Sequence, residues 1–559
     1  MAFLLFVVLL SAPFLSGWDE TYSLGYAKEL AFCVLSLILV CTALVRRREW
    51  PIRIYDVGAL LLLAAIVSNP RFWDNGAYLS VAFVLIGWSA TRLRWTRATL
   101  YAIVVAGTIH ALMSLGRIVL LPPPPLKGVM GNSGVMGVDL ALIVPVALGL
   151  AFVERRKWQK GVAGVVAVVM FVALALTRSR TALLACLGGM ACLLWHYVPF
   201  RIFVQRCLDT RFRRFVAGAA IVTAVIVGSV VLLSYRTGSV NGRMLIYRVT
   251  VEMIMDKPLL GHGYDTFAAR YPDYQAAFFV RHPNSPLAIY ADNTKVGFNE
   301  YLHIAAESGL VGLAVVIGLI IALFRIPGTG KPIAVLCRGS LVALLIAACF
   351  SYPLRRYETL LVVTLLVGML AAQDDRAICV LPRWVGWGFV PLLFWFYVDF
   401  STLIYKQAEG YSLWQQARSG ERSVDERWLI YEKASARLAH HLPFLCNYAV
   451  VLSASGEVER GNVLFSRAFL YMNTSELQVM VGANDERAGR PNDAEIRYLR
   501  AWNMVPNRFY PLYRLMMLYQ KQKDTARMRR TACAILAKKV KIPSYTVRRI
   551  REEAARLLE

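Results

Sequence analysis

The chain has 559 residues, 57% of them hydrophobic, and a mean hydropathy of +0.50, which excludes an ordinary soluble globular protein. Its formal net charge of +26 would suit a nucleic-acid binder, but Lys and Arg fall in short clusters between apolar runs and no aromatic-basic binding module is visible. No nucleic-acid partner is expected. The ten cysteines show no CxxC or Cys/His spacing suited to zinc; they read as small packing residues, and no metal site is expected.

In chain order, runs near the roughly 20 apolar residues that one crossing requires fall near 1–17, 29–46, 56–69, 76–91, 99–121, 134–153, 160–177, 181–198, 215–234, 309–325, 332–351, 357–372 and 383–403. The pattern predicts an all-α, polytopic membrane helix bundle of about twelve to thirteen spans, the third and fourth being short. The first run, "MAFLLFVVLLSAPFLSG", lacks the basic start of a signal peptide and reads as a retained span. Every second connection is basic: "RRREWPIR" (46–53), "TRLRWTR" (91–97), "ERRKWQK" (154–160), "RIFVQRCLDTRFRRF" (201–215), "FRIPGTGK" (324–331) and "DDRAICVLPR" (374–383). Short loops rich in Lys and Arg stay cytoplasmic. The alternation therefore predicts a cytoplasmic N-terminus, with the large 235–308 loop and everything after about 403 on the opposite side.

Arginines on that opposite side run against the bias. Arg178 and Arg180 lie in "TRSRTA", Arg117 ends the fifth span, and Arg355 and Arg356 follow "SYPL". Singly, each reads equally well as a side chain snorkelling to lipid headgroups. Together they make a site for an anion such as a diphosphate.

After residue 403 the pattern turns amphipathic and charged. Gly456, Gly461, Phe465, Ala468 and Asn473 recur 33 residues later as Gly489, Ala494, Tyr498, Ala501 and Pro506. Small residues where helices cross, an aromatic one turn on and a terminal breaker are what a helix-turn-helix repeat requires. These positions resemble the tetratricopeptide repeat, so two domains are expected: 1–403 in the membrane, and 404–559 a soluble helical array that grips a protein partner or braces the loop.

The segment "KVGFNEYLHIAAESGLVGL" begins as loop and ends as a span. If "NEYLHIAAE" is helical, Glu300 and Glu307 lie three residues before and four after His303, within reach of the imidazole. Two carboxylates favour the imidazolium, which weakens His303 as a base. Glu300 is the first candidate for activating an acceptor hydroxyl, His303 the second, and Asn299 a positioning hydrogen bonder; a cluster that staples the helix to the loop is the structural alternative. Asp292 and His282 are further loop candidates, whereas His110 and His196 read as packing or helix-end residues. "GHGYDTF" (261–267) lacks the setting of a dinucleotide loop and reads as turns.

Three motifs, "GVMGNSGVMG" (128–137), "NGRMLIYRVTVEMIMDKPLLGHGYDTFAARYP" (241–272) and "FNEYLHIAAESGLVGL" (298–313), then share one face. Their order resembles the O-antigen ligase superfamily, which includes O-antigen polymerases and bacterial protein O-oligosaccharyltransferases. The resemblance covers roughly 100–375. It implies a GT-C-like glycosyltransferase of the bacterial inner membrane, with its tail periplasmic. The implied donor is an undecaprenyl-diphosphate-linked glycan; no cofactor or metal is required. Arg243 matches the family's loop arginine and Arg180 that of the short outer turn, so both are expected on the diphosphate, with Arg178 and Arg356 beside them. Phe298 stands where many members have a histidine. Lipid A-core is the favoured acceptor, protein Ser or Thr the alternative, and a growing glycan the third; a transporter is the reading from a different class.

Overall fold

The computed structural model describes residues 2–15, 22–46, 49–69, 74–120, 130–197, 237–328, 330–419 and 424–559. The span expected near 215–234 and the basic connection 201–215 lie outside them. Among the described residues the chain is helical, apart from one two-stranded ribbon and its connections. Among the described residues, seven helical segments are long and apolar enough to cross a membrane: Tyr26–Val45, Arg97–Arg117, Ser133–Val153, Lys157–Leu176, Glu300–Phe324, Pro332–Phe350 and Trp384–Arg418. Helices at Ile54–Val67, Gly76–Ala90 and Tyr357–Ala371 are apolar but shorter. The 14 residues of Ile54–Val67 reach only about 21 Å, against a hydrocarbon core of about 30 Å. Among the described residues, fewer helices of full spanning length are therefore seen than apolar runs were counted there.

The chain divides into two compact units, Met1–Ile226 with Phe298–Tyr301 and Val311–Tyr411, and Val227–Gly297 with Leu302–Leu310 and Ser412–Glu559. The change of composition at 403 is not an element boundary, because the helix that starts at Val390 runs on to Arg418.

At the centre of the first unit lies the Ser133–Val153 helix, buried over nearly its whole length. It packs on the Arg97–Leu120, Lys157–Leu176, Arg180–Tyr197 and Pro332–Phe350 helices. Small residues allow this closeness: a Cβ on Gly189 would stand 2.6 Å from the Gly339 carbonyl, so those two helices meet backbone to backbone. Three of the basic connections converge at one end, through the residues of them that are described. Glu49–Ile52 pairs antiparallel with Cys379–Pro382. Asp56 accepts from the Arg53 N–H at 2.7 Å and pairs with Arg92 at 2.5 Å, and Arg92 lies 4.3 Å over Trp88. Tyr55 and Arg376 both reach Asp374. The 46–53, 91–97 and 374–383 connections thus share one end, as the charge alternation requires.

In the second unit the large loop supplies the Thr237–Asp256 and Phe267–Arg281 helices, and the tail a succession of short helices. Leu442–Ala454 packs on Val458–Ala468, Ser475–Arg487 on Pro491–Met504, and Tyr510–Lys521 on Thr525–Ala537. Phe465, Ala468, Ala494, Tyr498 and Ala501, all positions of the 33-residue recurrence, are buried. Loop and tail are fastened by polar contacts. Asp273 accepts from Asn473 at 2.7 Å and Arg500 at 2.6 Å, and Asn507 donates to the carbonyls of Ala288, Ile289 and Ala291. Buried Gln275 donates to the carbonyls of Met504 and Asp292.

Candidate functional site

The Glu300–Phe324 helix changes direction at Gly309, whose φ of 67° and ψ of −175° are glycine-only backbone. The break frees the last carbonyls of the preceding helical stretch. They are taken by "GHGYDTF": His262 N–H donates to Ala306 O at 2.9 Å and Gly263 N–H to Glu307 O at 2.8 Å, while Leu310 N–H returns to Pro258 O at 2.8 Å. A Cβ on Gly309 would lie 2.0 Å from the Leu259 carbonyl oxygen, and one on Gly261, also at positive φ, 2.5 Å from that of Glu307. The glycines expected to make turns do so, and they also let the two motif strings interlock backbone to backbone.

His303 and Glu307 are both 2% exposed. Glu307 Oε1 accepts from the Phe267 N–H at 3.1 Å, at the start of the Phe267–Arg281 helix, where a carboxylate suits the helix dipole. It also stands 3.1 Å from His303 Nε2, without the alignment of a hydrogen bond. His303 Nδ1 accepts from the Gly297 N–H at 3.1 Å, which puts the imidazole proton on Nε2, towards Glu307. The ring stacks on Phe267 at 4.5 Å. Of the two carboxylates expected to reach the imidazole, Glu307 makes the contact. These bonds fit the stapling role, and they leave His303 no free lone pair.

Glu300 takes its partners from elsewhere. Oε1 accepts from the Leu354 N–H at 2.8 Å, and Oε2 stands 3.9 Å from Arg355 Nε with no hydrogen-bond donor among the described residues. A carboxylate 2% exposed with one oxygen left unsatisfied is costly, and such a group calls for an explanation. Asn299 Nδ2 donates to the Cys349 carbonyl at 3.1 Å, closing the end of the Pro332–Phe350 helix. Phe298, at φ 50°, packs edge-on against Tyr352.

The predicted arginines differ in setting. Arg356 Nε lies 3.7 Å from Glu358, whose other oxygen holds Lys28 at 3.1 Å. Arg178, exposed and at φ 53°, forms the tight turn into the Arg180–Tyr197 helix. Arg180 is half-buried on the first residue of that helix, and the same turn abuts the start of the Ser133–Val153 helix, where a Cβ on Gly137 would meet Thr177 and Ala182 at 2.9 Å. Arg243 is half-buried on the Thr237–Asp256 helix. Asp292 takes Arg508 of the tail at 3.2 Å, and His282 folds back on the Phe278 carbonyl.

Sequence reasoning passed over Asp139. It is 3% exposed inside the Ser133–Val153 helix, its Oδ1 has no hydrogen-bond partner among the described residues, and with His110 and Glu358 it lines a cavity of about 10 Å³, room for a single water. The signal was available, since an ionisable residue within an apolar span is a functional candidate by default. The partners of Glu358, Lys28 above all, could not be read from sequence.

Residues 165–317 match the family model described as O-antigen ligase. The match takes in Arg178, Arg180, Arg243, Asn299, Glu300 and His303, and ends before Arg355 and Arg356. With the apolar helices it supports a multi-pass membrane protein of the O-antigen ligase superfamily and an enzyme of glycosyltransferase type, with a lipid-linked glycan donor and a glycan acceptor. No curated protein matches the chain.

Proposed function

We propose that this chain transfers a glycan from undecaprenyl diphosphate to an acceptor hydroxyl on the periplasmic side of the bacterial inner membrane, as an O-antigen ligase acting on lipid A-core. The observation that carries this reading is that the family match spans the interlocked motifs together with Glu300, Arg180 and Arg243. Departure of a diphosphate needs positive charge at the leaving oxygen, and attack needs a base at the acceptor hydroxyl. Arg243 and Arg180 serve the first need, assisted by Arg178 and Arg356. Glu300 Oε2 serves the second: among the described residues it is an acceptor with no hydrogen-bond donor, 3.9 Å from the Arg355 guanidinium. Asn299 and His303 act through position, one on the end of the Pro332–Phe350 helix and the other on the loop. Two arginines take the place of a metal, so neither metal nor cofactor enters the scheme.

One observation favours a second reading, with protein Ser or Thr as acceptor. Loop and tail form one compact unit, so a polypeptide held on a tetratricopeptide-like tail would be presented to the loop. Reconstitution with undecaprenyl-diphosphate glycan, offered lipid A-core or a Ser-containing protein in turn, decides between them. Transfer to lipid A-core alone is expected; transfer to protein alone selects the second reading, and transfer to neither by folded protein removes both.

A further inference from the structure

The Thr237–Asp256 helix has two apolar faces. Leu245, Val249 and Met253, none more than 1% exposed, pack into the second unit. Met244, Val251 and Met255 are 45%, 43% and 74% exposed, and with Arg248 they form one row at helical spacing. Beyond the helix, Leu259 and Leu260 are 66% and 75% exposed. They cannot turn away, because Gly309 is wedged against their backbone and Leu310 N–H holds Pro258 O. A loop surrounded by water does not keep five large apolar side chains uncovered in one patch.

What covers them is indicated by continuity and by charge. Leu310, 49% exposed and tied through its N–H to Pro258 O, is also the residue at which, along the chain, the apolar run of the Glu300–Phe324 helix begins. That run is long and apolar enough to cross a membrane. The charged groups on the row and just after it are Arg248, Asp256 and Lys257, all exposed. Asp256 is occupied by the Tyr274 hydroxyl, and neighbouring Glu252 by Arg281 at 2.5 Å. Among the described residues neither Arg248 nor Lys257 enters an ion pair, so the uncompensated charge on the patch is positive.

We propose that the face made by Met244, Val251, Met255, Leu259 and Leu260 lies in the headgroup–acyl boundary of the bilayer, with Arg248 and Lys257 on lipid phosphates. The large loop is then a membrane-surface element in its own right, and Arg243, next to Met244, is held at the depth of lipid phosphate. This inference stands whether or not the transfer reaction proposed above is correct.

The test is photo-crosslinking of the full chain in nanodiscs that contain anionic phospholipid, with p-benzoylphenylalanine placed singly at Met255, at Leu260, at Val165 as a lipid-facing control, and at Ile542 as an exposed tail control. Phospholipid adducts at Met255 and Leu260 should approach the yield at Val165 and exceed that at Ile542 by about tenfold. In the Met255 background, Arg248→Glu with Lys257→Glu should lower the adduct about fivefold in anionic discs and little in neutral ones. Chain-to-chain crosslinks at Met255 would show a second copy on this face, and a yield no higher than at Ile542 would show water. Either result overturns the proposal.

Discussion

Glu300 and His303 share a helix, and their hydrogen bonds set them different tasks. His303 Nδ1 accepts from the Gly297 N–H and its Nε2 faces Glu307 at 3.1 Å, whereas among the described residues Glu300 keeps one oxygen undonated beside Arg355. Glu300→Gln should therefore reduce transfer by about 10²–10⁴-fold in proteoliposome initial rates, and His303→Ala should cost less and chiefly loosen the loop. The reverse ranking would hand the base role to His303. Arg243→Ala and Arg180→Ala should each lose about 10²–10³-fold without affecting membrane insertion, and full activity in both would remove them from the diphosphate. In the tail, burial against Trp414 pushes His441 down to about 4. The unfolded chain binds this proton near pH 6.5 and the folded chain does not. Stability from the neutral imidazole is thus intact above pH 6.5 and is lost as pH falls towards 4, by about 3 kcal/mol at most. Hydrogen exchange over 442–454 should speed up across that window, and His441→Asn should flatten the response.

Among elements, the glycine pair is the sharpest feature. Gly309→Ala places a Cβ 2.0 Å from Leu259 O on backbone that only glycine adopts, and the motif strings must separate. A loss of at least about 3 kcal/mol of local stability is expected, read as protease cleavage near 257–263; wild-type resistance would contradict the interlock. Asn507→Ala should deprive the carbonyls of 288–291 of their shared donor and raise hydrogen exchange at 286–293, whereas Arg500→Ala removes a half-exposed pair worth about 0.5–1 kcal/mol. At this scale the sequence was partly legible. Apolar runs and charge alternation located the helices and paired their ends, because both follow from the cost of putting polar groups in lipid. The kink at Gly309 and the Leu354 N–H that Glu300 holds were not legible: each depends on chain far away in sequence, and periodicity carries only local information. Helix ends near Leu15, Val67 and Arg418 also differ from the predicted limits, since hydropathy marks apolar content and not where hydrogen bonding stops.

For the whole molecule, the positive charge that might have suggested nucleic acid is accounted for in part by the basic connections at one end of the first unit. Grouping the 237–297 loop with the tail could not be foreseen from composition. It rests on single polar residues, Asn473, Arg500 and Asn507, that look like ordinary surface positions in the sequence. That grouping favours bracing of the loop as the tail's first task. Activity is expected to survive a metal chelator, and dependence on added magnesium would count against two arginines doing a metal's work. The most direct measurement is release of undecaprenyl diphosphate by the purified full chain in proteoliposomes that contain the lipid-linked glycan and lipid A-core. The account predicts release coupled to glycan transfer in the wild type and its near-complete loss in Glu300→Gln. Equal release by both proteins, or none by the wild type with intact substrates, would contradict it.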